Sequence, residues 1–163
     1  MKILASTRVH NAPTSFSVGR PNWSPTIEFT GRVLLALLFL VAGIGKIGNY
    51  AGTVAYMTSL GVPGALLPVV IAAEVLGGLA IIFGWQTRIA ALCLAGFSLL
   101  TAVIFHRHFD DQIQSTMFLK NVSIAGGFLL LVANGAGPVS LDRRRGMNGG
   151  TSDRPLRIVV HDP

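Results

Sequence analysis

The sequence predicts an all-α integral membrane protein, a four-helix bundle with flexible N- and C-terminal tails. Of its 163 residues, 51% are apolar and only 12% are charged, and the mean hydropathy is +0.60. This composition is more apolar than that of a soluble domain. Four apolar runs also approach the roughly 20 residues that a helix needs to cross the hydrocarbon core of a bilayer. The predicted spans are Thr30–Ile47, Ala65–Gly84, Ile89–Phe105 and Phe118–Asn134.

The predicted organisation is a membrane domain, residues 30–142, between flexible tails at residues 1–29 and 143–163. The first tail is rich in Ser, Thr, Pro and Asn and lacks the apolar core of a signal peptide. The second tail has the Gly, Ser and Asp content of a linker. After the first span, "NYAGTVAYMTSL" has apolar residues at helical spacing, and "GVPG" is a turn signal. We therefore expect a short helix along the membrane surface before the second span.

The distribution of Lys and Arg predicts the orientation, because short loops rich in these residues are retained in the cytoplasm. With four spans, ten of the 13 lie on the side of the two termini, and Lys46, Arg107 and Lys120 lie on the other. Both termini are therefore predicted to be cytoplasmic. Anionic lipid head groups account for the net charge of +6. A nucleic-acid partner is not expected, because no aromatic stacking pattern accompanies the arginines.

Two features, a cysteine and a glycine-rich segment, are of kinds found in redox and nucleotide-binding sites, but their sequence context supports neither kind of site. Cys93 is the single cysteine, which excludes an intramolecular disulfide and a CxxC pair, and we expect a small buried apolar side chain there. The segment Gly43–Gly48, "GIGKIG", matches G-x-G-x-x-G, but a membrane-length helix precedes it and Pro63 stands near the place of the required acidic residue. These glycines, with Gly77–Gly78 and Gly126–Gly127, are predicted to let helices approach closely.

Glu74 is the strongest site candidate, because it stands in the middle of the second apolar run. An ionised carboxylate facing lipid at that depth costs at least ~2.5 kcal/mol. We therefore expect Glu74 to face the bundle interior, paired with Lys46 or Lys120, which lie at similar depth by helix rise. Each lysine could instead extend to the head groups. Arg32, at the first helix's cytoplasmic end, is predicted to be a head-group anchor.

The predicted outer loop, "FHRHFDDQIQSTMFLKN", concentrates His106, His108, Asp110 and Asp111 within six positions. Such ligands could hold zinc, but no second His cluster completes the set, and no metal is predicted. We expect these residues at the wet membrane interface. His108, at the mouth of the bundle, could relay protons to the Lys–Glu region.

The segments "GRVLLALLFLVAGIGKI", "YMTSLGVPGALL", "AEVLGGLAIIFGWQTRIAAL", "FLKNVSIAGGFLLL" and "GAGPVSLD" together resemble the DoxX family of small bacterial membrane proteins. The resemblance implies the bacterial cytoplasmic (inner) membrane. It also implies association with oxidoreductase systems, since relatives include a membrane subunit of a thiosulfate:quinone oxidoreductase and proteins linked to thiol stress. It carries over Lys46, Glu74, Lys120 and Asn121 as motif positions, without catalytic roles. The paired cysteines of some distant relatives are absent here.

Three classes of function stay open at this stage. The first is the membrane subunit of a quinone- or sulfur-linked redox system, in which a polar site holds the ligand inside the bundle. The candidate binding residues are Lys46, Glu74, His108, Lys120 and Asn121. No flavin, haem or iron–sulfur ligand set is recognisable, so a redox partner subunit is expected, and a quinone is the candidate cofactor. The second class is a small-molecule or anion transport module, and the third is a scaffold without chemistry. A homo-oligomer is compatible with each class.

Overall fold

The structure, a computed structural model, describes residues 24–149, and within this range it contains helices and no strand. Four helices are long and apolar enough to cross a membrane, at Pro25–Gly48, Gly64–Phe83, Thr87–Phe105 and Gln112–Asn134. This confirms the predicted all-α, four-span class. The α-helices of the described range are α1 (Ser24–Gly48), α2 (Tyr50–Ser59), α3 (Leu67–Phe83), α4 (Thr87–Phe105), α5 (Gln112–Asn134) and α6 (Leu141–Gly149).

Two spans, the first and the fourth, begin well before the start of their apolar runs. Helix α5 starts at Gln112 because the Asp111 carboxylate accepts a hydrogen bond from the Ile113 amide, at 2.8 Å, which caps the first turn. Helix α1 starts at Ser24, so residues 24–29 of the predicted first tail are helical, as are residues 143–149 of the second. The predictions for residues 1–23 and 150–163 lie outside the described residues.

The helices form an antiparallel bundle in which α1 packs along α3, α3 along α4 and α4 along α5, whereas the backbones of α1 and α5 come close at few positions. The centre of the core is Phe39, whose ring meets those of Phe97 and Phe128 edge to face, at centroid distances of 6.3 and 5.4 Å. Small core residues let the backbones approach around these rings. They are Ala36, Ala91, Ala95 and Ala125.

Some of the predicted packing glycines do lie at helix contacts. A Cβ at Gly78 would stand 3.1 Å from the Leu40 side chain and 3.3 Å from the Ala36 carbonyl oxygen, so α3 lies directly against α1 there. Gly43, Gly77 and Gly127 are similarly close to neighbouring side chains, whereas Gly45, Gly48 and Gly126 face open space. The prediction therefore holds for one member of the "GIGKIG" segment and fails for the other two.

The connections define two ends of the bundle. At the end that we call the α2 end, α1 and α4 finish, and α2 and a 3₁₀ turn (Gly64–Leu66) lead into α3. At the opposite end, the α6 end, a short turn joins α3 to α4, and α5 is followed by the segment that leads into α6. Gly84 in that turn has φ +65°, the left-handed conformation common after a helix C-terminus.

The outer surface of the spans is covered by large apolar side chains, as a lipid-facing surface requires. Val69 and Leu130, for example, are each 66% exposed. Cys93 also lies on this surface, so the prediction that it is buried is wrong. The buried residues of α4, among them Leu94, Ser98 and Ala102, follow helical spacing along another face of the helix. A thiol is apolar enough to face lipid.

Candidate functional site

A cavity of about 380 Å³ lies at the α2 end of the bundle, between α2 and the four spans. Its walls are mostly apolar, with Phe39, Phe97 and Leu100 among the lining residues. The polar lining residues are Lys46, Thr53, Tyr56, Glu74, Thr101, His106, Lys120 and Asn121. Four of the five predicted site residues therefore lie on one cavity.

Glu74 pairs with Lys46 on the wall of this cavity. The Lys46 Nζ atom lies 2.8 Å from Oε1 and 2.9 Å from Oε2 of Glu74, so both carboxylate oxygens accept from one ammonium. The Glu74 side chain is only 6% exposed, and that of Lys46 is 27% exposed. Gly43 makes room for this pair, since a Cβ there would stand 3.2 Å from the Glu74 Cβ atom. Of the two lysines that the sequence offered as partner, the structure pairs Lys46 with Glu74.

Lys120 and Asn121 reach the cavity from α5. The Lys120 ammonium is exposed and lies 3.2 Å from the Met117 sulfur, within its own helix. The Asn121 amide nitrogen donates to the Met117 carbonyl, four residues earlier, at 2.9 Å. This bond uses one amide proton and leaves the other proton and the Oδ1 atom of Asn121 available to a ligand.

Helix α2 covers the cavity at the end of the bundle. The Met57 side chain of α2 is buried. The Tyr56 ring of α2 stacks on Phe105 of α4, with centroids 5.8 Å apart and planes inclined by 23°. Thr53, Tyr56 and Met57 all line the cavity, as the i, i+3, i+4 spacing of one helix face requires. This helix was predicted, but none of its residues was predicted to belong to the site, although their helical spacing could have identified them.

Of the loop histidines, His106 rather than His108 reaches the cavity. His106 lines it, and its Nδ1 atom lies 2.8 Å from the Gln114 side-chain oxygen, whereas His108 is exposed and does not line it. His108 was predicted as the site residue from its place in the loop, and His106 was not. Within residues 24–149, no three His, Cys, Asp or Glu side chains converge on a point that could hold a metal ion.

Arg32, predicted to be a head-group anchor, is instead buried at the α6 end, at 1% exposure. Its Nη1 atom donates to the carbonyls of Ile81 and Ile82, at 3.2 and 3.3 Å, and its Nη2 atom donates to the carbonyl of Val139. The arginine thus adds hydrogen bonds to carbonyls in the last turn of α3, where the helix leaves acceptors that are not fully used. Its role is to join α1, α3 and the segment before α6.

Asp142 holds α6 to the turn between α3 and α4. Its carboxylate accepts from the amides of Gln86, at 2.7 Å, and Thr87, at 2.8 Å, and its own amide donates to the Gly84 carbonyl at 2.9 Å. Partial burial would raise the pKa of Asp142, but these hydrogen bonds to Thr87 and Gln86, with the charge of Arg145, outweigh it, and the pKa lies below its usual value. No pattern in the sequence indicates this contact.

Comparison with known proteins identifies the family. The DoxX family model matches residues 27–107, from α1 to the end of α4. The Escherichia coli K12 inner membrane protein YqjF is 55% identical over 112 residues, which are 69% of this chain and 86% of YqjF. The inner membrane protein YphA of the same organism is 42% identical over 127 residues, 74% of this chain and 91% of YphA.

A third relative, from Bacillus subtilis 168, is named "Putative oxidoreductase CatD" and is 34% identical over 73 residues, 45% of this chain and 54% of that protein. No solved structure matches the chain. YqjF and YphA are matched over most of their own length, and the four membrane-length helices agree with their description as inner membrane proteins. The chain therefore belongs to the DoxX family of membrane proteins.

Proposed function

We propose that the chain is the membrane subunit of a redox system and that the cavity at the α2 end binds the head group of a quinone. The observation that carries this proposal is the cavity itself, about 380 Å³ in volume, with polar groups set among mostly apolar walls. Pockets of roughly 300–1,000 Å³ with few polar groups are typical of small-molecule sites. A quinone likewise combines polar and apolar parts, since its two carbonyls are polar and its ring and chain are apolar.

The ion pair favours a neutral ligand over an anion. Glu74 binds Lys46 through both carboxylate oxygens, so the pair is close to neutral as a unit. A second negative charge beside Lys46 would have to compete with a carboxylate that is already desolvated there. A quinone carbonyl requires only a hydrogen-bond donor. Asn121 and Tyr56 line the cavity and carry such donors.

In the proposed system, electrons reach the bound quinone from a partner subunit, soluble or membrane-bound. The chain then supplies the binding site. The Lys46–Glu74 pair balances the charge and exchanges a proton as the quinone is reduced. The name of CatD supports the redox class, since that relative is called an oxidoreductase. If the chain takes part in catalysis, it does so as a subunit of such a complex.

Lys120 favours a second candidate, the binding or transport of a small anion. Its ammonium lies on the same cavity and hydrogen-bonds to a thioether rather than to a carboxylate. An anion at the rim could bind there without displacing Glu74. A scaffold role, in which the ion pair only fixes the positions of α1 and α3, predicts that no ligand binds at all.

The test is to purify the protein in mild detergent, extract its lipids and identify co-purified quinone by mass spectrometry. Titration with decylubiquinone then measures affinity. We expect quinone in the extract and saturable binding, and we expect Asn121→Leu to weaken binding about tenfold, the loss of one buried hydrogen bond to a ligand.

Asn134→Leu is the matched control, because Asn134 also lies on α5 and donates to the carbonyl four residues earlier, but does not line the cavity. It should bind quinone like the wild type. Equal losses in both variants would contradict the site. Saturable binding of thiosulfate or sulfite, lost in Lys120→Met and without quinone binding, would support the anion module, and no binding of either would support the scaffold.

A further inference from the structure

We propose that the α6 end of the bundle binds the head groups of anionic phospholipids, on a surface formed by Arg88, Trp85 and the arginines Arg143–Arg145 of α6. We call this the arginine surface. It lies at the opposite end of the molecule from the cavity, and the proposal does not depend on the ligand of that cavity.

The arginine surface is at the level of lipid head groups. Helix α3 ends at Phe83, α4 begins at Thr87 and α5 ends at Asn134, so the apolar spans all stop at this end. Helix α6, "LDRRRGMNG", is too polar to enter hydrocarbon. Trp85 is 46% exposed in the turn between α3 and α4, and tryptophan is enriched at the boundary between hydrocarbon and head groups.

The arginines of α6 are attached to the spans at a fixed place. The Asp142 carboxylate accepts from the amides of Gln86 and Thr87, immediately before Arg88, so the first turns of α6 and α4 lie side by side. The Arg145 guanidinium stands 6.0 Å from the centre of the Trp85 ring. Because α6 is already held in place, less conformational entropy is lost when lipid binds.

The charge of this surface is strongly positive. Arg88, Arg143, Arg144 and Arg145 are all exposed. Of the described residues, the carboxylates at this end are Glu28 and Asp142, and Asp142 already accepts two amide hydrogen bonds. Consecutive helical residues are about 100° apart, so the three arginines of α6 point in different directions. They can therefore contact several lipid head groups around the helix, but they do not converge on one phosphate group.

Quenching of Trp85 fluorescence by brominated lipids tests this directly. The chain has two tryptophans, and a Trp23→Phe background leaves Trp85 as the reporter. The protein is reconstituted into bilayers that mix unlabelled phosphatidylcholine with either brominated phosphatidylglycerol or brominated phosphatidylcholine. We expect phosphatidylglycerol to be preferred at Trp85 by about tenfold, and we expect the preference to fall as salt is raised.

The variants assign the preference to the arginine surface. Arg144→Gln should reduce it several-fold, and Arg143→Gln/Arg144→Gln/Arg145→Gln should reduce it to a ratio near one, with unchanged helix content by circular dichroism. Arg107→Gln, an exposed arginine at the α2 end, is the matched control and should leave it unchanged. Equal quenching by the two brominated lipids in the wild type would overturn the proposal, as would equal losses in Arg144→Gln and Arg107→Gln.

Discussion

Glu74 explains how a carboxylate can stand in the middle of an apolar helix. Both of its oxygens lie within 2.9 Å of the Lys46 ammonium, and Gly43 lets α1 and α3 approach closely enough for this bond to form. The cost of an unpaired charge at this depth is reduced because the Lys46 ammonium pairs with the carboxylate and donates to both of its oxygens. Because Lys46 is partly exposed, the ion pair lies at the cavity surface, where a ligand can contact it.

We expect Glu74→Leu to lower stability, because it leaves the Lys46 ammonium without its acceptor. Breaking a buried pair costs about 3–5 kcal/mol in soluble proteins, and the loss should be smaller here because a partly exposed lysine can turn toward the α2 end. Thermal unfolding in detergent, followed by circular dichroism, measures the change. Quinone binding should be lost as well, if the proposed function holds.

A pair of double variants tests which lysine is the partner. Glu74→Leu/Lys46→Met removes both charges and should recover most of the lost stability, but no ligand binding. Glu74→Leu/Lys120→Met keeps the stranded Lys46 and should be no more stable than the single variant. If both double variants recover stability equally, the pairing of Glu74 with Lys46 would be refuted.

At the scale of elements, the end of α3 depends on a residue that can adopt the left-handed conformation. Gly84 has φ +65°, and a Cβ there would stand 2.5 Å from Arg32 Nη1 and would overlap the Ser140 side chain. We expect Gly84→Ala to lower the unfolding free energy by about 2 kcal/mol or more, from strain and overlap together. Gly96→Ala, at a helical position with open space, should be neutral or stabilising by up to ~1 kcal/mol. Equal unfolding temperatures of the two variants would contradict this account.

The attachment of α6 should depend on pH through Asp142. Its pKa is lowered in the folded protein, so the carboxylate stabilises the fold at pH values above its unfolded pKa, near 3.8, and this stabilisation is lost as the pH falls through the lower folded value. The unfolding temperatures of the wild type and Asp142→Ala should differ at pH 6, and the difference should shrink progressively as the pH falls below 3.8. A difference that stays constant from pH 6 to pH 2.5 would show that the charge of Asp142 does not hold α6.

The spans were predictable because each is a continuous apolar segment, and a bilayer imposes a length on such segments. The Lys46–Glu74 pair was predictable as one of two alternatives, because two costly charges at similar depth are expected to meet. The contacts at the α6 end were not. Arg32 donates to carbonyls 49 and 107 residues away, and Asp142 accepts from an amide 55 residues away. Such distances depend on how the helices pack, and no local pattern encodes them.

At the scale of the whole molecule, the prediction of orientation depends on which basic residues lie outside the spans. Of the 13 basic residues, ten lie on the side of the termini and three on the other. Arg32, Lys46 and Lys120 lie within the spans, and Arg32 and Lys46 have partners inside the bundle, so they are weak indicators of sidedness. Without these three, nine basic residues remain against Arg107 alone, and the bias that retains basic segments in the cytoplasm becomes stronger.

We therefore expect both termini to be cytoplasmic and the cavity to open toward the outer side of the membrane. A reporter enzyme that is active only outside the cytoplasm should be active when fused after Asp111, between α4 and α5. It should be inactive when fused after Gly149, at the end of α6, because that fusion retains all four spans and the arginines of α6. A cytoplasm-dependent fluorescent reporter at the same two sites should give the opposite result and controls for expression. If both reporters are reversed, the orientation is wrong, and the arginine surface then faces the outer leaflet. If the two fusion sites agree in sidedness, α5 does not cross the membrane, and a cavity enclosed by four spans could not form.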